Sequence, residues 1–114
     1  MSYLINQIRQ FVPEFEIEDE ECELLTLSDL GVYLLKSESD SQINSIIELI
    51  NNLSVHEDEY YVDLIRDGFI PNFAIHELFS QFQLVHFQKF NETFVDIFNT
   101  GYRKGMVPYH LRGK

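Results

Sequence analysis

The sequence predicts an all-α fold: a single compact domain of five or six short antiparallel helices. Three observations lead there. Apolar residues recur mostly at spacings of three and four, the period of a helix face. The periodic runs are punctuated by Pro13, Gly68, Pro71 and Gly101 and by Ser, Asp and Asn turn residues. The turns between runs are short, which packs consecutive helices antiparallel. At 114 residues the chain is one domain by length, with no internal repeat or low-complexity linker. Folding should remove about two thirds of its unfolded surface from water. Ten Phe, six Tyr and no Trp point to a core built largely on phenylalanine.

The first helix is expected over 3–12, capped by Ser2, with Leu4, Ile5, Ile8, Phe11 and Val12 on one side and Pro13 as its stop. In PEFEIEDEECE, 13–23, Phe15 and Ile17 alternate with glutamates, which fits either a short extended piece or a loop. A second helix covers about 24–37, with Leu27, Leu30, Leu34 and Leu35 inward. Gly31 inside it costs about 1 kcal/mol relative to Ala and signals a close crossing with no room for a side chain. SESDS, 37–41, is a turn in which Asp40 or Ser41 caps a helix over 41–53. That helix turns Ile43, Ile46, Ile47, Leu49, Ile50 and Leu53 inward, and Asn51, Asn52 and Ser54 end it. The next helix runs over 57–68, with Gly68 as C-cap ahead of Pro71. Asn72 is the expected cap of a helix over 73–82, and a last segment over 84–100 carries Phe87, Phe90, Phe94, Ile97 and Phe98. No proline or glycine decides whether 73–100 is one kinked helix or two. The helical domain is thus placed at 1–100, followed by a basic, irregular tail over 101–114.

Charge narrows the partners. Residues 1–98 hold all 19 acidic residues and four of the eight basic ones, a charge of −15. Residues 99–114 hold Arg103, Lys104, Arg112 and Lys114 with no acid. So negative a body repels phosphate, which argues against nucleic acid and anionic membranes and favours a basic protein as partner. Cys22 is the single cysteine, which fits a reducing cytoplasm. The opening MSYLINQIRQF is too polar for a signal peptide, and no apolar run approaches the ~18 residues of a membrane span.

Catalytic signatures are expected to be absent. Ile75-His76-Glu77 begins like a zinc-protease helix, but the second histidine is replaced by Ser80. None of His56, His76, His86 and His110 follows a Glu at three residues, as di-iron bundles require. Cys22 sits among Glu20, Glu21 and Glu23, which disfavour its thiolate. Gly101 and Gly105 lack the strand and helix of a phosphate loop. No cofactor or metal is therefore expected.

What remains is HEDEYYVDLIRD, 56–67. Glu59, Asp63 and Asp67 lie at i, i+4 and i+8, one stripe of a helix, with Arg66 able to offset part of their repulsion. Tyr61, Leu64, Ile65 and Gly68 share the opposite, inward side. Glu57 and Asp58 fall in the first turn, where the helix dipole favours them. Tyr60 lies between the two faces, offering apolar area with a polar tip, as binding hot spots do. Glu57, Asp58, Glu59, Tyr60, Asp63 and Asp67 are the candidate partner-binding residues.

The run IIELINNLSVHEDEYYVDLIRDGFI, 46–70, together with Ser28-Asp29-Leu30-Gly31 and Phe11-Val12-Pro13-Glu14-Phe15, resembles small uncharacterised bacterial all-helical proteins with a HEAT-like helical hairpin in the middle. Those proteins look like the immunity partners of polymorphic toxins, so the resemblance implies a non-enzymatic binding protein that neutralises a cognate toxin by occlusion. Glu57 to Tyr61 are also similar in composition to the acidic Tyr-Tyr segment of colicin-type immunity proteins, although here Val62 to Asp67 continue a helix. The alternative is a scaffold subunit of a bacterial complex, a homodimer through the Phe-rich last helix.

Overall fold

The computed structural model describes residues 2–101, and among them the fold is all-α with no strand. Helix α1, Tyr3–Phe11, starts where Ser2 Oγ accepts the Ile5 N–H at 3.0 Å and ends just before Pro13. The acidic segment that follows is a loop rather than an extended piece. Its Phe15 and Ile17 fold back onto the core, Phe15 edge-on to Tyr33 at 5.0 Å. Helix α2, Glu23–Lys36, buries Leu27, Leu30, Gly31 and Leu34, whereas Leu35 is only half-buried. Helix α3, Asp40–Ser54, buries all six expected apolar residues. Its cap is Ser39, whose Oγ accepts from Gln42 N–H at 3.3 Å, so Asp40 and Ser41 lie inside the first turn instead of capping it.

The expected stop at Gly68 is overturned. Helix α4, Glu59–Leu64, runs through a π-helical turn, Ile65–Phe69, directly into α5, Ile70–Ile75. Asn72 is thus mid-helix and caps nothing. Pro71 has no N–H to return to the preceding turn, and its ring would crowd a carbonyl there. The wider turn absorbs it: Ile70 N–H reaches five residues back to Ile65 O. Ser28 Oγ, on α2, donates to Gly68 O at 3.0 Å and ties the widened turn to its neighbour.

Two glycines make that neighbour close. A Cβ on Gly31 would stand 2.9 Å from Phe69 O, and one on Gly68 would stand 2.9 Å from Leu24 O. Helix α2 and the π turn therefore cross nearly backbone to backbone, the crossing that Gly31 signalled.

The segment 73–100 is neither one kinked helix nor two. After α5 the backbone turns extended at His76, whose Nδ1 accepts Leu78 N–H at 3.1 Å. A 3-10 helix, Glu77–Gln81, a single turn α6, Leu84–Phe87, and then α7, Glu92–Gly101, follow. The break before α7 is set by Asn91. Its Oδ1 accepts from Phe94 N–H at 2.8 Å, and its own N–H donates to Asn51 Oδ1 at 2.8 Å, clamping the start of α7 to α3.

Taking α4, the π turn and α5 as one helix, the described residues hold six helices, plus the 3-10 turn. Phenylalanine fills their centre: Phe69, Phe73, Phe94 and Phe98 are fully buried. Phe87, Phe90 and Phe94, which the homodimer reading would have used as an interface, are buried within the chain's own core. None of the described helices is long and apolar enough to cross a membrane. Gly101 belongs to α7, and the rest of the expected tail, 102–114, lies outside the described residues.

Candidate functional site

The six candidate residues are all exposed: Glu57 and Asp58 lie just before α4, Glu59, Tyr60 and Asp63 lie on it, and Asp67 lies in the π turn. The helix begins two residues later than its spacing suggests, because Asp58 is its cap: Oδ1 accepts the Tyr60 N–H at 3.0 Å. Glu57 therefore precedes the helix rather than lying in its first turn. His56 sets up the cap in turn, its Nδ1 accepting Asp58 N–H at 3.0 Å.

This cap places four rings together. His56 lies 4.9 Å from Tyr3 and 4.7 Å from Tyr61, Tyr3 lies 5.3 Å from Tyr61, and Tyr61 lies 5.3 Å from Tyr60. The contacts are tilted or edge-on, the arrangement the ring quadrupoles favour. The cluster is not core: Tyr60 is 46% exposed and Tyr3 39%. Leu24 and Leu25, at the start of α2, are exposed as well.

Tyr60 is fixed rather than free. Its hydroxyl donates to Glu23 Oε1 at 2.6 Å, joining α4 to the first residue of α2. Donation to that carboxylate, then burial and the surrounding negative charge, push the Tyr60 hydroxyl up to about 12. Burial first, then Glu23 and Asp58, also raise the Tyr61 hydroxyl. The second oxygen of Glu23, Oε2, is covered and has no hydrogen-bond partner among the described residues. Sequence spacing did not reveal Tyr3, Glu23 or the use of His56. The one signal for Tyr3 was that it lies off the Leu4, Ile5, Ile8 stripe of its helix.

The stripe itself divides. Arg66 bonds Asp63 at 2.7 Å and Asp67 at 3.2 Å, and these two hydrogen bonds, Asp67 first, hold its guanidinium still more firmly charged. Glu57 and Glu59 form no ion pair among the described residues and leave the open negative charge beside the rings. An aromatic surface edged by carboxylates attracts guanidinium and ammonium groups through both charge and the ring faces. The five candidate carboxylates stand in water, without the burial on which general acid–base chemistry relies. Among the described residues no three His, Cys, Asp or Glu side chains are grouped to hold a metal ion.

The Tyr60–Glu23 bond has a testable signature. Tyr60 is neutral in the fold over a wider range than in the unfolded chain, so its contribution is complete below about pH 10 and is lost as pH rises from 10.0 toward about 12. In a spectrophotometric titration, Tyr60→Phe should remove the tyrosinate step at about 12, and Glu23→Gln should move that step down toward the ordinary value. An unmoved step in Glu23→Gln would mean that the bond does not set it.

No family model, no curated protein and no solved structure matches this chain.

Proposed function

We propose that this chain is a non-enzymatic protein-binding module of the immunity type, which neutralises a cognate bacterial toxin by covering a basic surface on it. One observation carries the proposal: Tyr3, His56, Tyr60 and Tyr61 form an exposed aromatic cluster with Glu23, Glu57, Asp58 and Glu59 at its edge. Tyrosine held by a hydrogen bond gives contact area at little entropic cost, and the carboxylates supply the steering charge. The formal charge of −11 extends that steering over the whole body. Arginines of the partner fit best, since a guanidinium both stacks on a ring and bonds a carboxylate.

The test is functional and then kinetic. The gene adjacent to this one is expected to encode a protein with a toxic C-terminal domain, and co-expression of this chain should restore growth to cells producing that domain. With the purified pair, Glu59→Lys with Asp63→Lys should lower the association rate about tenfold at low salt and flatten its salt dependence, with dissociation much less affected. Binding indifferent to both salt and charge reversal would remove the acidic face from the interface.

A further inference from the structure

Among the described residues seven large apolar side chains are exposed, and five of them, Tyr3, Leu24, Leu25, Val55 and Tyr60, belong to one end of the fold. Helix α1 starts there with Tyr3, α2 with Glu23 and α4 with Glu59, and α3 ends there at Ser54. The ring contacts of Tyr3, His56, Tyr61 and Tyr60 join three of these helix ends, and the Tyr60–Glu23 bond joins the fourth. Single exposed apolar residues are ordinary on a folded chain, whereas several gathered in one place mark a docking surface.

The aliphatic members widen the aromatic surface on two sides. Val55, between the end of α3 and His56, is 62% exposed. Leu24 follows Glu23, and its Cδ1 lies 3.0 Å from where a Cβ on Gly68 would stand, so one flank rests on the π turn while the rest stays open. Leu25 stands on the other side of α2 from its buried Leu27, Leu30 and Leu34. The rim has one sign. The stretches that build this end, 2–3, 20–25 and 55–61, hold six carboxylates and no Lys or Arg. Glu20 bonds Arg9 at 2.9 Å and Glu23 bonds Tyr60 at 2.6 Å, whereas Glu21, Glu57 and Glu59 form no ion pair among the described residues.

We propose that this end of the fold takes a basic amphipathic helix of the partner protein. Its apolar face lies across Leu24, Leu25, Val55 and the tyrosines, and its Lys or Arg heads reach Glu21, Glu57 and Glu59. The inference rests on the binding role proposed above and adds that aliphatic contact holds the partner alongside rings and charge. An apolar centre with an acidic rim is matched by an apolar row flanked by cations, which a helix presents at i, i+3, i+4 and i+7. The stems of Lys and Arg give further apolar cover while their heads stay on the carboxylates. An anionic membrane is repelled by the same rim.

The probe is a peptide of about five helical turns, built of leucine, alanine and lysine with the leucines on one face, added to the full chain and followed by amide chemical shifts. It should shift Tyr3, Leu24, Leu25, Val55 and Tyr60 saturably, with a dissociation constant on the order of ten micromolar. A peptide of the same composition with its leucines spread around the helix, and one with glutamate for lysine, should bind at least about tenfold more weakly. Leu25→Ser with Val55→Ser should weaken the first peptide about tenfold, while Ile75→Ser, at the far end of the α4–α5 helix, leaves it unchanged. All three positions are exposed, so these variants do not threaten folding. Binding that is lost in Glu59→Lys but untouched by Leu25→Ser with Val55→Ser would overturn the proposal and leave the acidic aromatic face standing. Equal binding of the spread-leucine peptide, shifts elsewhere only, or tighter binding to phosphatidylcholine vesicles than to the peptide would also overturn it. Rescue of growth by co-expression tests the immunity reading separately from all of these.

Discussion

Phe94→Ala is expected to lower the free energy of unfolding by about 3–5 kcal/mol, a large fraction of the ~5–15 kcal/mol that holds a domain of this size together. Phe94 is 0% exposed and joins three elements. It stacks on Phe90 at 4.0 Å, meets Phe69 of the π turn edge-on at 6.0 Å and touches Phe98 one turn along α7 at 6.1 Å. Truncation removes the transfer energy of the ring and leaves a void bounded by other rings. Those rings are themselves held by further phenylalanines and are poorly placed to collapse into it. Urea denaturation followed by far-ultraviolet circular dichroism should show a much lower midpoint with little change in slope. A loss under about 1 kcal/mol would mean that α7 is held to the core by something other than this ring.

Gly31→Val is the second large effect, at about 3 kcal/mol or more, and it runs against local propensity. In an isolated helix, replacing Gly would gain a few tenths to about 1 kcal/mol. Here the new Cβ meets Phe69 O at 2.9 Å and Phe73 Cβ at 3.2 Å. A carbonyl inside a helix cannot rotate aside as a flexible side chain can, so the two helices must separate and loosen the core between them. Gly31→Ala tests the same contact more gently and should still destabilise, by about 1–3 kcal/mol. A Gly31→Ala variant more stable than the wild type would show that the crossing is looser than 2.9 Å implies.

These two sites also mark what the sequence could and could not disclose. Helical periodicity found the inward faces of α1 and α3, and Ser2 was recognisable as a cap from its position alone. Gly31 was legible because a glycine inside an apolar helical run needs a packing reason. Gly68 was misleading because a glycine with a proline three residues on has the local chemistry of a helix end. The reason it does not end one lies in Ser28 and Leu24, about 40 residues earlier in the chain. Asn91 looked like any polar residue, since its partner Asn51 is 40 residues away. The candidate site divides the same way. The exposed acids of 57–67 followed from helix geometry, whereas the Tyr60–Glu23 bond spans 37 residues and required the fold. The off-by-one at Ser39 is a smaller case, because three successive residues there are all competent caps.

The separation of ring types has an optical consequence. The core holds phenylalanine, which emits weakly, and there is no Trp to dominate the signal. Of the six tyrosines, Tyr3, Tyr60 and Tyr61 lie together on the aromatic surface, and Tyr33 sits half-buried against Phe15. Among the four described tyrosines, intrinsic fluorescence therefore reports chiefly on the surface, and the Tyr60 hydroxyl donates to the Glu23 carboxylate, an arrangement expected to quench its emission. A ligand that takes the Glu23 carboxylate from Tyr60 will brighten the protein, with no dye attached and no residue changed.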